Sequence, residues 1–370
     1  MEQRFGKPAD TIVHELEPFN AEPPRGELGR EAITPFERFY VRGHGAVPEL
    51  PADARLRVEG LVDKPLELSL EQLRGGRFVQ VEVTATLQCA GNRRFELDAV
   101  HEIPGEAIWE SGATGTAVWR GVRLADVIAA AGPRQEARYA AFVGAEQAED
   151  AKPLQRFGGA VPLEKALRPE VVLAWEMNGE PLPSIHGGPL RVVVPGYIGA
   201  RSVKWLQQIE LRAEPFDGYF QETVYRLLRP GEQPAPGLGI ELGEILLNAD
   251  ILSAGDDAPR SGSPFELRGY ALAGGGRSVA RVEVSCDGGE TWEEAQLLED
   301  LGPWAWRLWS LRVELPAGDH EIVVRAWDSS GGTQPESPAT VWNPKGYMNT
   351  AWGRMRVTVA ADSRLPSHVD

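Results

Sequence analysis

Residues 230–239 read PGEQPAPGLG, with three prolines and three glycines in ten positions. No helix or interior strand runs through such a stretch, so it divides the chain in two. Beyond it the pattern is short strands separated by turns, expected at 243–250, 264–272, 278–286, 304–315 and 319–327. Ile322 to Trp327 alternates clearly between inward and outward positions. This is the pattern of an antiparallel sandwich, and without a Cys…Trp…Cys core it is immunoglobulin-like in architecture only. Before the connector, strands alternate with short helices. The expected fold class is therefore α+β: an N-terminal arm over 1–35, a mixed α/β body over 36–230, the connector at 231–239, and the sandwich over 240–365. A length of 370 residues exceeds what one core usually serves.

Within the first body, Val79 to Leu87 is rich in β-branched residues and reads as a strand. It ends at Cys89, where Gly91 and Asn92 turn the chain into Arg93 and Arg94. A thiol beside two guanidinium groups is biased toward thiolate, the form that ligates metal or attacks. Local chemistry leaves a second reading open, a buried small cysteine followed by a solvated basic turn. Phe36 to Val41 has strand composition and delivers Arg42, Gly43 and His44 into a loop. These two cation-capable groups could meet an anion or decorate a surface turn. His186, Arg191, Arg201 and Lys204 surround a short buried strand at Val192–Val194. Broken by glycines, they suit a phosphate-like anion or a solvated basic edge. The run GATGTA at 112–117 lets backbone N–H groups approach a ligand closely. A hairpin is expected around Asp63–Pro65, a helix start at Ser69, and a short helix from Asp126 to Ala131 stopped by Gly132 and Pro133.

Lys and Arg total 38 against 54 Asp and Glu, a net charge of −16. Such a chain is a poor binder of nucleic acid or anionic membranes, and an anionic substrate would need local positive charge against the global sign. Two cysteines, Cys89 and Cys286, do not make a disulfide scaffold. No apolar leader, twin arginine or window of about 18 apolar residues is visible, so a cytoplasmic address is expected. No C-x-x-C-H, His-Pro-Gly-Gly or GxGxxG pattern occurs, so heme, flavin and NAD are not expected in this chain.

Gln88-Cys89-Ala90-Gly91-Asn92-Arg93-Arg94 resembles the signature of the sulfite oxidase family of molybdenum enzymes. Met177 to Trp205 is similar to a second family pattern, M-N-G-x-P-L-P followed by H-G-x-P-x-R-x-x-x-P-G-x-x-G-A-R-x-V-K-W. The resemblance covers about 36–360 and implies a heme-free member of the bacterial kind. It implies that Cys89 is the single protein ligand of molybdenum, the other sulfurs coming from one molybdopterin dithiolene. Arg42 would line the substrate pocket and His44 would contact the pterin. His186, Arg191 and Lys204 would hold the pterin and its phosphate, with Arg201 nearby. Tyr225 would be the active-site tyrosine, and Arg94 and Lys345 would help neutralise the substrate. Lys345 lies in Trp342-Asn343-Pro344-Lys345-Gly346, where sulfite-oxidising eukaryotic members carry arginine and nitrate reductases a neutral residue. Lysine keeps the charge but lacks the bidentate fork. The implied activity is oxidation of sulfite to sulfate, with electrons passed to an external acceptor, a cytochrome or oxygen. The implied assembly is a homodimer formed by the sandwich. Two alternatives remain: a same-fold enzyme reducing nitrate or a sulfoxide, and a non-catalytic binding protein with a decayed site. Burying so many cations without an anionic ligand is costly, which weighs against the last.

Overall fold

The computed structural model describes residues 4–51, 53–255 and 259–361. The outer ends of the expected arm and sandwich, 1–3 and 362–365, lie outside the described residues. The arm is more than a surface strap. Strands β1 (Ile12–Glu15) and β2 (Asn20–Glu22) form a hairpin, and β2 is wholly buried. Ala21 and Val41 exchange backbone hydrogen bonds, at 3.0 and 2.8 Å. Phe36 to Val41 is accordingly not the expected strand; it is a run of turns whose one bridge is Val41 on the arm. Its aromatics serve packing: Phe39 and Tyr40 stack at 5.4 Å.

The first body holds two five-stranded sheets. In chain order its elements are β3 (Arg55–Gly60), β4 (Leu66–Ser69), α1 (Leu70–Arg74), β5 (Gln80–Gln88), α2 (Arg94–Val100), β6 (Thr114–Arg123), α3 (Leu124–Ala131), β7 (Tyr139–Ala148), β8 (Gln155–Pro162), β9 (Val172–Met177), β10 (Glu180–Pro181), β11 (Arg191–Val193) and β12 (Leu206–Arg212). One sheet runs β4-β3-β12-β7-β8, with β12 parallel to β3; the other runs β10-β9-β6-β5, with β11 added to β9. Ser69 caps α1 in the expected way, its hydroxyl accepting from Gln72 N while the Gln72 side chain accepts from Ser69 N. Gly132 in the left-handed conformation ends α3.

In the second body, β13 (Asn248–Ala254), β14 (Phe265–Leu272), β15 (Gln296–Leu297) and β16 (Arg307–Val313) form one antiparallel sheet; a second contains Val279–Ser285, Glu293–Glu294, Gly318–Asp328 and Gly353–Val359. The two share an apolar core built on Ile251, Val282, Trp309 and Val324. The strand expected at 243–250 begins later, at Asn248, because residues 242–245 pack back on the first body: Leu242 and Ile245 belong to its core. The closing strand Gly353–Val359 carried no separate expectation. On the outer face Arg325 stacks over Trp292, Trp327 and Trp352, with its Cζ at 3.7, 4.7 and 5.4 Å.

The bodies meet through buried polar groups. Arg93 is fully buried and donates to Ala249 O and Ala351 O, at 2.9 and 3.0 Å, and to Trp352 O at 3.0 Å. Its Nη2 also pairs with Glu96 at 2.6 Å. Arg25, from the arm, pairs with the buried Asp250. Among the described residues no helix is long and apolar enough to cross a membrane.

Candidate active site

A narrow cleft opens where the turns at 39–44, the two sheets of the first body and the loop after β12 converge. Cys89, Arg42, His44, His186, Arg191, Lys204 and Tyr225 all line it. Cys89 sits at the end of β5, its N–H donating to Ala113 O at 2.9 Å and its carbonyl accepting from Asn92 N at 3.0 Å. Arg42 and His44 leave the Val41 bridge in a tight loop. A Cβ at Gly45 would stand 1.9 Å from the backbone Gln147 O, so that position needs glycine. His186 ends a short turn, Ser184–His186. Arg191 opens β11 and donates to His186 O and Ser202 O, at 2.8 and 2.7 Å. Lys204 Nζ lies 4.1 Å over the Trp205 ring. Tyr225 follows a π-type turn at Phe220–Val224.

Burial dominates the electrostatics. It pushes the Cys89 thiol up, against the pull of Arg94 and then Arg42. The expected bias toward thiolate therefore needs a cation in the cleft in addition to the protein's own field. Burial and then Arg42 bring the His44 pKa down to about 3, and burial with Lys7 holds His186 well below the usual imidazole range. Burial lowers Lys204 to about 8, opposed by Glu146, and Arg191 to about 10. Burial raises Tyr225, which keeps its phenol protonated.

His44 is held between Phe157 and Phe220, with ring centroids at 5.0 and 3.9 Å. Neutral, it carries one N–H. Its Nδ1 lies 3.2 Å from Arg42 Nη2 and 3.3 Å from Asp150 Oδ2. The guanidinium is always a donor, whereas Asp150 is largely solvated, so Nδ1 accepts from Arg42. Nε2–H then donates to Tyr225 Oη at 2.9 Å. That leaves the Tyr225 O–H free to donate into the cleft.

The remaining expected residues fall elsewhere. Arg201 is buried but turns away from the cleft, donating to Leu242 O at 2.6 Å and pairing with Glu241 at 3.4 Å. It braces the segment leading to the second body. Arg94 opens α2 one aromatic ring away: its Cζ is 5.2 Å over the Tyr347 ring, which lies 5.6 Å from the Tyr225 ring. Lys345 pairs with Glu106, and Arg94 Nη2 is 3.5 Å from the same carboxylate. The GATGTA run does not line the cleft. Gly112 N donates to Glu22 Oε2 at 2.6 Å, and Thr114 onward belongs to β6.

Three residues of the site carried no signal in the sequence. Glu146 accepts from His44 N and Gly45 N, at 2.7 and 3.2 Å. Lys7 donates to Phe36 O and Phe39 O, at 2.6 and 2.7 Å, and lies 3.2 Å from His186 Nε2. Glu106 is the third. Each is a lone charged residue far along the chain from its partners, and no local spacing marks it.

The donor set fits an anionic, metal-bearing organic ligand. Arg191 Nε is buried without a hydrogen-bond partner, and Arg191 and Lys204 face a cleft with few acceptors of its own. Among the described residues no group of three or more His, Cys, Asp or Glu could hold a metal ion. A metal bound at Cys89 would therefore bring most of its ligands with it.

The family comparisons agree with this chemistry. Residues 44–220 match the oxidoreductase molybdopterin binding domain, and residues 248–360 match the Mo-co oxidoreductase dimerisation domain. Fold and site thus define a molybdopterin-dependent oxidoreductase. The chain is 41% identical over 360 residues to sulfite oxidase of Gallus gallus, covering 92% of this chain and 76% of that protein. It therefore belongs to the sulfite oxidase family of molybdopterin oxidoreductases. It is also 39% identical over 371 residues to nitrate reductase [NAD(P)H] of Hordeum vulgare, covering 92% of this chain and 41% of that protein. The chain spans about two thirds of the length of the mammalian relatives that it matches. Among solved structures it resembles the sulfane dehydrogenase SoxCD of Paracoccus pantotrophus, with a TM-score of 0.80, 26% identity, and coverage of 97% and 94% of the two chains.

Proposed function

We propose that this chain oxidises sulfite to sulfate and passes the electrons to an external acceptor. The observation that carries the reading is the meeting, in one cleft, of the Cys89 thiol, the Arg42 guanidinium and a Tyr225 hydroxyl freed to donate. Cys89 would hold the molybdenum, and His44, His186, Arg191 and Lys204 would hold the anionic pterin side. The bound cofactor supplies oxygen-atom transfer and the accompanying two-electron change. The chain's own part is to bind and orient. Arg42 offers a fixed positive charge to a substrate oxyanion, and Tyr225 donates a hydrogen bond to an oxygen while staying protonated. Arg94 and Lys345 supply further positive charge from the rim. The second body would pair two copies as an immunoglobulin-like sandwich, supported by the match to a dimerisation domain.

The test is sulfite oxidation with ferricyanide as acceptor, measured with molybdenum content on one preparation. Near-stoichiometric metal with rapid turnover is expected. Full metal with negligible sulfite turnover would overturn the substrate and favour nitrate or a sulfoxide, the nitrate reading being supported by the barley relative.

A further inference from the structure

Lys345 and Arg94 are the two cations that the substrate reading places at the rim, and both rest on one carboxylate. Lys345 Nζ pairs with Glu106 Oε1, and Arg94 Nη2 stands 3.5 Å from Glu106 Oε2. Arg94 is otherwise pinned by backbone: Nε donates to Lys345 O at 3.0 Å and Nη1 to Ala107 O at 2.5 Å. Its position therefore does not depend on the carboxylate. Arg94 and Glu106 have side-chain exposures of 3% and 17%, which keeps the pair poorly screened. The trio lies against Tyr347, whose ring is 5.6 Å from that of Tyr225 at the cleft wall.

We propose that Glu106 is the resident counter-anion of the substrate subsite and sets the charge of the anion that the site accepts. This deepens the proposed function and rests on its assignment of an oxyanion substrate. With the carboxylate in place the trio carries a net charge of +1; an incoming oxyanion has to share or displace it. A neutral amide of the same shape raises the charge to +2, and its oxygen still accepts from one of the two cations. The Coulombic gain scales with ligand charge, so a dianion should gain about twice as much on a logarithmic scale as a monoanion. The carboxylate thus trades affinity for release: a dianionic product leaves a +1 site faster than a +2 site.

The experiment compares wild-type and E106Q holoenzyme, with sulfate and nitrate as probes. Binding is measured by calorimetry at low and high salt, beside sulfite turnover. The expected result is about tenfold tighter sulfate binding in E106Q and about threefold tighter nitrate binding, both gains shrinking at high salt. The further change K345M in the E106Q background should reverse most of the gain. Equal affinities in the two proteins, or equal weakening of both probes with unchanged melting temperature, would overturn the proposal and leave Glu106 a structural brace. If wild-type holoenzyme fails to oxidise sulfite while E106Q still tightens sulfate over nitrate, the substrate reading falls and the role of Glu106 stands.

Discussion

His44 shows how much one imidazole can be made to do by its surroundings. Two aromatic rings and Arg42 keep it neutral, with a pKa near 3 against an ordinary 6.5. Neutrality gives it a single proton, and Arg42 directs that proton to Tyr225. The same depression has a consequence for stability. Between pH 6.5 and about 3 the unfolded chain takes up a proton at this position that the folded chain refuses. Unfolded protein then binds more protons, so stability falls as pH drops through that window. Urea unfolding at about pH 7 and about pH 4.5 should show this loss, and H44Q should show a flatter acid limb. An unchanged pH slope in H44Q would place the charge elsewhere. Arg42, His44 and Cys89 were legible in the sequence because each sits in a short motif whose neighbours carry chemistry. Lys7, Glu106 and Glu146 were not, because their partners lie across the fold: Lys7 is 179 positions from His186 and Lys345 is 239 from Glu106.

Among the elements, the arm departs most from its reading in sequence. Its prolines and polar residues look like a strap over the surface, yet Lys7 is only 4% exposed and its ammonium meets two carbonyls and a cleft histidine. Removing it strands those acceptors, so K7M should lose about 2–3 kcal/mol of stability. The same variant should release its cofactor faster on dilution, since His186 loses the group that faces its Nε2. Chemical denaturation and molybdenum retention after gel filtration check both, and a variant that retains metal like the wild type would confine the arm to packing. Where local chemistry dominates, sequence and structure agree closely. The helix start at Ser69 and the Gly132 stop each depend on a few adjacent residues. Phe36–Val41 reads as a strand because aromatic composition does not distinguish a pleated surface from a set of buried turns.

At the scale of the molecule, the signature around Cys89 serves two purposes at once. Arg94 reaches Glu106 and the Tyr347 ring, while Arg93, in a left-handed backbone conformation with φ 60°, grips three carbonyls of the second body. From sequence the two arginines look equivalent; only the turn geometry separates them. R93M would take a donor from each of those carbonyls and the buried ion-pair partner from Glu96, costing about 3–5 kcal/mol. The expected readout is denaturation that splits into two transitions, one for each body. A single transition at the wild-type midpoint would show that apolar contacts alone join them. Opposite sides of one short loop thus couple the Cys89 thiol to the seating of the second body.

The wall of the cleft is assembled from segments far apart in the chain. Its lining runs from Phe39 to Tyr225, and Lys7 stands behind His186. During synthesis, Lys7 leaves the ribosome long before its histidine partner exists. A chain made only as far as Cys89 would offer the cofactor a thiol without a finished cradle. Loading would then wait until the first body has been made through Tyr225.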